Sequence, residues 1–170
     1  MQNKDIMNDA FLNIVLFEPE IPYNTGNIGR LCVGMNSVLH LIEPLGFKIT
    51  DRLLKRAGLD YWDLLDLKIY GNLDEFFQKN DTRDRFYFAS TRAGKIYYQQ
   101  SYSTGDYIMF GKETAGLPEC IHTEHKEKGI FIPMSKNIRS LNLSNSVAVI
   151  MYEAFRQIKN TEKNTCSFVI

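Results

Sequence analysis

The chain has 170 residues, of which 44% are hydrophobic and 24% are charged, and its formal net charge is zero. This length and composition are typical of one soluble globular domain with a single core. No apolar run approaches the roughly 20 residues needed to cross a bilayer. The N-terminus, MQNKDIMNDAF, also lacks the basic and then apolar pattern of a signal peptide. We therefore expect a cytoplasmic protein without a membrane segment.

One folded domain is predicted over residues 11–159, with an N-terminal extension at 1–10 and a tail at 160–170. Short β-branched and aromatic runs predict five strands: residues 13–17 (NIVLF), 38–42 (VLHLI), 86–89 (FYFA), 107–110 (YIMF) and 130–132 (IFI). The runs are continuously apolar, as expected for strands buried on both faces of a parallel sheet.

Helices are predicted between the strands, at residues 28–35, 50–56 and 73–78. Asn72 is the expected N-cap of the last of these, which carries acidic residues in its first turn. Alternating strands and helices predict an α/β fold with a mostly parallel sheet flanked by helices.

The clearest helix is the C-terminal one, with Ser144 or Asn145 as its N-cap. Its apolar residues repeat at three-and-four spacing and form one stripe. The stripe consists of Val147, Ile150, Met151, Ala154, Phe155 and Ile158.

No metal site is predicted. Cys32, Cys120 and Cys166 are isolated and lack both disulfide-framework and zinc-site spacing, so they are interpreted as small buried or incidental residues. His40, within VLHLI, is expected to be a satisfied core histidine. The run HTEHKEKG, with His122 and His125, is expected to be a solvated loop.

Zero net charge argues only weakly against a polyanion partner, because phosphate binding depends on local charge. The basic residues are locally grouped, and a solvated face is favoured over RNA contact for each group taken alone. The groups are Lys48, Arg52, Lys55 and Arg56, and then Arg83, Arg85, Arg92 and Lys95.

Three segments that follow predicted strands are rich in Gly, Asn, Ser and charge, and open α/β sheets bind ligands at such positions. The first is EPEIPYNTGNIGR, residues 18–30. Asn27 or Thr25 could cap a helix beginning near Ile28, whose N-terminal amides would favour phosphate, with Arg30 one turn in. An ordinary strand–helix turn with a surface arginine explains this segment equally well.

The second segment is FGKETAGLP, residues 110–118. Gly111 and Gly116 allow a close backbone approach or a positive φ. Glu113 either forms a surface ion pair with Lys112 or accepts hydrogen bonds, from a ligand or from a loop that must be held still.

The third segment spans residues 131–157 and includes SLNLSNS before the C-terminal helix. Leu141 and Leu143 among small polar residues suit a flat aromatic ligand such as adenine, bound by backbone amides and carbonyls. The alternative is a capped helix N-terminus packed under a loop.

Together the three segments resemble the three motifs of the SPOUT superfamily of knotted methyltransferases, and within it the TrmL/YibK-like group. NIVLFEPEIPYNTGNIGRLC is similar to motif one, FGKETAGLP to motif two and IPMSKNIRSLNLSNSVAVIMYEAFRQ to motif three. The resemblance covers residues 12–158. It implies a deep trefoil knot in the C-terminal half and a homodimer formed through the knotted regions, with the C-terminal helix and its apolar stripe taking part in the dimer.

The resemblance also implies transfer of a methyl group from S-adenosylmethionine, leaving S-adenosylhomocysteine, to the ribose 2′-hydroxyl of a tRNA wobble nucleotide. That nucleotide is position 34, cytidine or modified uridine, notably in leucine tRNAs, so the RNA partner would be the anticodon loop. Arg30 would act on the RNA ribose or phosphate, beside a cofactor held by the other subunit. The implied cofactor contacts are Ala89, Ser90, Thr91, Gly111, Ile132, Ser140 and Leu141, and weaker site-shaping candidates are Asn24, Glu113, Ser144, Asn145 and Tyr152.

Three other functions are considered. A Rossmann-type oxidoreductase lacks support, because no GxGxxG follows Phe17. A non-catalytic RNA-binding module is disfavoured by the presence of Arg30, Glu113 and the run at 140–145. Methylation of another tRNA position or of ribosomal RNA is the main competitor, because cofactor motifs do not encode the RNA target.

Overall fold

The computed structural model describes residues 10–49, 61–82 and 84–161. The helix predicted at 50–56 lies outside these residues, together with Arg52, Lys55, Arg56, Arg83 and Cys166. Almost all of the proposed N-terminal extension and most of the proposed tail also lie outside them, so the predicted domain limits stay a prediction.

Seven strands in the described residues form one sheet, and every pair of neighbouring strands in it is parallel. The order across the sheet is β3-β2-β1-β6-β4-β7-β5. The strands are β1 (Asn13–Phe17), β2 (Val38–Ile42), β3 (Leu67–Tyr70), β4 (Phe86–Ala89), β5 (Lys95–Ile96), β6 (Tyr107–Phe110) and β7 (Gly129–Phe131). The predicted α/β fold with a mostly parallel sheet is confirmed. Four predicted strands match at both ends, the fifth begins and ends one residue earlier, and β3 and β5 are additional.

Within the described residues, four α-helices accompany the sheet: α1 (Pro22–Gly34), α2 (Leu73–Lys79), α3 (Glu119–Glu124) and α4 (Leu143–Thr161). The N-cap prediction for α2 is confirmed, because the Asn72 side chain accepts a hydrogen bond from the Glu75 amide at 2.9 Å. None of the helices in the described part of the chain is long and apolar enough to span a membrane.

Helix α1 begins at Pro22, six residues before the predicted start at Ile28. The predicted caps Thr25 and Asn27 were therefore wrong, since both lie inside the helix. Proline suits the first helical turn, where its missing amide has no partner to lose. Gly29 allows close packing, because a methyl group there would lie 3.1 Å from Leu65 and 3.4 Å from the Trp62 ring. Arg30 consequently lies in the third turn of α1, not the first, and is exposed.

Helix α4 begins at Leu143, so the predicted caps Ser144 and Asn145 lie in its first turn instead. The side chain of Asn142 makes the cap, accepting hydrogen bonds from the amides of Ser144 at 2.9 Å and Asn145 at 3.3 Å.

The predicted apolar stripe of α4 is real, but it packs inside its own chain. Val147, Ile150, Met151 and Ala154 are fully buried, and they belong to a core cluster that also contains strand and α1 residues. The chain's own core therefore covers these four residues, and a role of α4 in a dimer stays a prediction. Tyr152, on the other face of α4, is 58% exposed.

His40 is fully buried on β2, and both of its ring nitrogens have partners. Nδ1 lies 2.9 Å from the Tyr70 hydroxyl and Nε2 lies 3.0 Å from Asn13 Oδ1. The prediction of a satisfied core histidine is confirmed. Burial, helped by nearby Lys68, lowers the pKa of His40 to about 3, so the ring is neutral. Nε2 must then carry the proton that it donates to Asn13, and Tyr70 donates to Nδ1.

The run HTEHKEKG is partly exposed, as expected, but it forms the end of α3 and a short 3-10 helix instead of a loop. His122 belongs to α3 and packs edge-on against Phe88, and His125 packs against Phe77 and Phe86. Among the cysteines, Cys32 is buried as expected, whereas Cys120 is exposed.

Candidate active site

Four neighbouring strands, β1, β6, β4 and β7, deliver their following loops to one edge of the sheet. Because the strands are parallel, these loops all leave from carboxyl ends, where open α/β sheets bind ligands. The loops surround a cavity of about 510 Å³. This size falls within the range of small-molecule and cofactor sites.

Most of the predicted site residues line this cavity. All seven predicted cofactor contacts do so, together with two of the site-shaping candidates: Ala89, Ser90, Thr91, Gly111, Ile132, Ser140, Leu141, Asn24 and Glu113. Arg30, Ser144, Asn145 and Tyr152 do not line it. The three sequence segments therefore meet at one place, although Arg30 lies outside the cavity of its own chain.

Gly111 makes the turn after β6 possible. A Cβ atom there would lie 2.2 Å from the carbonyl carbon of Gly116 and 2.4 Å from the Leu117 amide nitrogen. Gly116, at φ +72°, has the left-handed backbone that favours glycine, and its amide donates to the Lys112 carbonyl at 2.9 Å. The two glycines thus form a closed loop that has no space for a side chain at Gly111.

Glu113, at the tip of this loop, holds the chain that enters α1. Its Oε2 accepts from the Glu20 amide at 2.8 Å, and its Oε1 accepts from the Ile21 amide at 3.3 Å and from Asn24 Nδ2 at 2.8 Å. Of the two roles considered for Glu113, acceptor for a loop is the one observed.

Lys112 pairs with Glu18 instead of its neighbour Glu113, at 2.6 Å. The hydrogen bond that Lys112 donates to the Glu18 carboxylate raises the pKa of the Lys112 ammonium. Glu20 reciprocates by accepting from Thr114, from the amide at 3.0 Å and the hydroxyl at 2.9 Å. Side chains from both loops therefore hold the loop after β1 against the loop after β6. We call this set of contacts the clasp.

Asn142 joins the third segment to this clasp and was not predicted as a site residue. Its Nδ2 donates to Asn24 Oδ1 at 2.9 Å, and it also lines the cavity. The available sequence signal was its position directly before the helical stripe, where asparagine is a preferred N-cap.

His122 and Arg92 also line the cavity and were not predicted as site residues. Burial, and secondly the charge of Arg92, lower the pKa of His122. Arg92 pairs with Glu119 at 2.9 Å, and both side chains are well exposed, so the pair contributes little to stability.

Arg30 lies over the ring of Tyr61, with its guanidinium carbon 5.1 Å from the ring centroid. This cation–π contact orients the guanidinium without using its hydrogen-bond donors. No group of three or more His, Cys, Asp or Glu side chains that could hold a metal ion occurs within 10–49, 61–82 and 84–161.

The chain belongs to the SpoU rRNA methylase family, whose sequence model matches residues 11–152. A relative from Geobacillus stearothermophilus is 49% identical over 151 residues, covering 86% of this chain and 94% of that protein. Another, from Saccharophagus degradans, is 48% identical over 147 residues, covering 86% of this chain and 95% of the relative. Both are named tRNA (cytidine(34)-2′-O)-methyltransferase, the first provisionally. The resemblance drawn from the three motifs is confirmed.

Solved structures with a similar fold include other methyltransferases. One, described as giving insights into 2-OH methylation of C/U34 on tRNA, has a TM-score of 0.82 and 40% identity, covering 88% of this chain and 97% of the other. The SpoU methyltransferase AviRb of Streptomyces viridochromogenes, solved with AdoMet, shares the fold at a TM-score of 0.79 and 21% identity. That match covers 89% of this chain and 59% of the other.

Proposed function

We propose that this chain transfers a methyl group from S-adenosylmethionine to the ribose 2′-hydroxyl at position 34 of tRNA. The nucleotide would be cytidine or a modified uridine, notably in leucine tRNAs, and the reaction would take place in the cytoplasm. The observation that carries the proposal is the convergence of the three motif segments on one cavity, in a chain about half identical to the named tRNA methyltransferases.

The cavity fits the proposed cofactor in size and in chemistry. Apolar side chains of Phe110, Leu117, Ile132 and Leu141 can enclose a flat base, and the loop at residues 111–116 exposes backbone groups for polar contacts. Ser90, Thr91 and Ser140 add hydroxyls suited to a ribose. S-adenosylmethionine supplies the methyl group on a sulfonium.

Arg30 is the residue proposed to act on the RNA. The guanidinium group carries a delocalised positive charge and only hydrogen-bond donors, so Arg30 suits stabilisation of a developing alkoxide and an adjacent phosphate. The proton of the hydroxyl would leave to water or to phosphate. Correct orientation of the two reacting groups can lower the barrier by about 7–11 kcal/mol in favourable cases.

Two copies of the chain would complete the site. Arg30 does not line the cavity of its own chain, which is consistent with action beside a cofactor held by a second copy. The exposed Tyr152 face of α4 is the part of that helix left available for such pairing, since the stripe is buried. A trefoil knot in the C-terminal half stays part of this proposal.

The RNA would be bound through an unstacked loop nucleotide, because single-stranded bases expose the faces and edges that proteins recognise. Tyr23, Tyr61 and Trp62 are aromatic residues on or beside α1 that could stack on a base. The Trp62 ring packs against α1 at Gly29, and the Tyr61 ring lies under the Arg30 guanidinium. Tyr23, 49% exposed on α1, is the best placed for a base.

Mass spectrometry of tRNA from a deletion strain tests the target directly. We expect one 2′-O-methyl group at position 34 to disappear, and to be restored by the purified protein with S-adenosylmethionine. An anticodon stem–loop with a 2′-deoxynucleotide at position 34 is the matched substrate that must stay unmethylated. Loss of a methyl group elsewhere, in tRNA or ribosomal RNA, would contradict the target while leaving methyl transfer intact.

Arg30→Ala tests the catalytic assignment. We expect transfer to fall by about 100-fold or more, as for loss of a donor to a developing oxyanion, with cofactor affinity retained. Arg85→Ala, an exposed arginine before β4 at the other edge of the sheet, is the control and should keep full activity. Calorimetry that finds lost cofactor affinity, with normal transfer by the bound Arg30 variant, would refute this role.

A further inference from the structure

We propose that Asn142 is a positioning residue that couples the cofactor loop to the helix carrying Arg30, through a one-way chain of hydrogen bonds from Asn142 through Asn24 to Glu113. This inference rests on the proposed function, because it assigns Arg30 a place in the reaction. It adds Asn142, which was not among the predicted site residues, to the two candidates Asn24 and Glu113.

The direction of the chain is set at the N-terminus of α4. Asn142 Oδ1 accepts from the Ser144 amide at 2.9 Å, the Ser144 hydroxyl at 2.7 Å and the Asn145 amide at 3.3 Å. Three donors around one oxygen fix the orientation of the Asn142 amide. Its Nδ2 therefore has to point away from the helix, toward Asn24 Oδ1, at 2.9 Å.

The same orientation passes to the next two residues. With its oxygen used by Asn142, Asn24 presents Nδ2 to Glu113 Oε1 at 2.8 Å. Both Glu113 oxygens act as acceptors, as an ionised carboxylate requires, and Oε2 takes the Glu20 amide at 2.8 Å. Every group in the chain therefore has one workable role, and reversing any one group leaves two donors or two acceptors facing each other.

The chain joins the cofactor loop of one site to the helix whose Arg30 is proposed to act at the site of the second copy. Asn142 directly follows Ser140 and Leu141, which line the cavity. Asn24 is 5% exposed on α1 and stands six residues before Arg30, about 9 Å along the helix at 1.5 Å per residue. A displacement of the cofactor loop is thereby transmitted to the helix that presents the guanidinium.

Asn142→Asp separates this role from simple helix capping. The aspartate retains acceptors for the Ser144 and Asn145 amides, so the cap survives, but it has no donor for Asn24. If the Asn24 amide turns to donate to the new carboxylate, its oxygen then faces Glu113. We expect kcat to fall about tenfold or more, the scale of one lost hydrogen bond to a charged group.

The double variant Asn142→Asp with Glu113→Gln restores a consistent chain in the reversed direction. Asn24 donates to Asp at 142, the glutamine amide nitrogen donates to the turned Asn24 oxygen, and the glutamine oxygen still accepts from the Glu20 amide. Only the Ile21 contact, the longest at 3.3 Å and exposed, is lost. We expect kcat to return to within about threefold of the parent, although Glu113→Gln alone lowers it about tenfold.

The matched control is Asn72→Asp, the same change at the N-cap of α2, which should leave kcat unaltered. Hydrogen exchange of the Glu20 amide, measured without RNA, gives a second readout: protection falls in each single variant and returns in the double. A double variant no better than the weaker single variant, or single variants within twofold of the parent, would overturn the coupling. If the proposed tRNA target is wrong, the parent protein has no activity on that RNA. The hydrogen exchange of the Glu20 amide, measured without RNA, still tests the coupling.

Discussion

Two polar networks in the described residues both join asparagine side chains to ionisable groups, but they lie on different parts of the fold. The core network, Asn13–His40–Tyr70, lies on β1, β2 and β3, and its hydrogen-bonded pairs are 27 and 30 residues apart in the chain. The site network, Glu113–Asn24–Asn142, lies in the loop after β6 and at the N-termini of α1 and α4. Its hydrogen-bonded pairs are 89 and 118 residues apart in the chain.

The difference shows what each network can do. Sheet pairing sets the position of the core network, which is enclosed and makes no contact with the cavity. The site network holds together loops that sheet pairing leaves free, and it borders the cavity. Substitutions in the core network should therefore lower the free energy of unfolding, whereas substitutions in the site network should lower ligand affinity and turnover.

His40→Ala is the largest expected change to stability. It removes a fully buried ring and leaves Asn13 Oδ1 and the Tyr70 hydroxyl without their partner. We expect a loss of about 3 kcal/mol or more in the free energy of unfolding, measured with urea. Cofactor affinity of the folded fraction should stay unchanged. His125→Ala, at a half-buried ring, should lower the free energy of unfolding clearly less. Equal losses in the two variants would contradict a special contribution of the core network to stability.

The pH dependence of stability should reveal two opposing groups near the core network. Burial lowers the pKa of His40 to about 3, so the unfolded chain binds a proton that the folded chain does not, and this stability is lost as pH falls from 6.5 toward 3. Burial raises the pKa of Asp106 from 3.8 to about 6, although the Ser103 amide opposes the shift. The folded chain then holds a proton that the unfolded chain releases, and this stability is lost as pH rises.

Between pH 3.8 and 6 the contributions of these two groups should cancel. Asp106→Asn removes one of them, so the stability of the variant should rise with pH by about 1.4 kcal/mol per unit more steeply than that of the parent. Across the window, the difference between the two proteins should change by about 3 kcal/mol in urea unfolding. Parallel pH profiles for parent and variant would show that Asp106 does not titrate as described.

Gly111→Ala tests the loop that carries Glu113. The new methyl group would overlap the backbone of Gly116 and Leu117, so the loop must open. We expect a smaller loss of stability, about 1–3 kcal/mol, together with at least about tenfold weaker cofactor binding by calorimetry. Gly94→Ala, where a methyl group meets nothing within 4 Å, is the control. Unchanged affinity in Gly111→Ala would separate the loop from the cavity.

The sequence predicted the centre of the sheet well because burial on both faces leaves a continuous apolar run. Residues 13–17, 38–42, 86–89 and 107–110 were predicted to both ends for this reason. Strand β3 lies at the sheet edge with two of its four residues exposed, and β5 has two residues, so neither produced such a run. The start of α1 was missed because Gly26 and Gly29 suggest a loop, whereas both are buried in the helix and Gly29 allows close packing.

At the candidate site, residue types and motif order indicated which segments meet, but not how. Asn24 and Glu113 were identified as candidates, yet Asn142 was not, because its partner Asn24 lies 118 residues away. The apolar stripe of α4 shows a related limit. Helical periodicity reveals that an apolar face exists, and only tertiary packing decides whether the same chain or another one covers it.

The packing of Gly29 against Trp62 gives the protein a built-in optical probe. Trp62 is the single tryptophan in the 170 residues, and its ring lies against the helix that carries Arg30. Indole emission depends on the surroundings of the ring. Any movement of α1 when cofactor or RNA arrives should therefore register as a change in intrinsic fluorescence, with no label attached and no competing tryptophan signal.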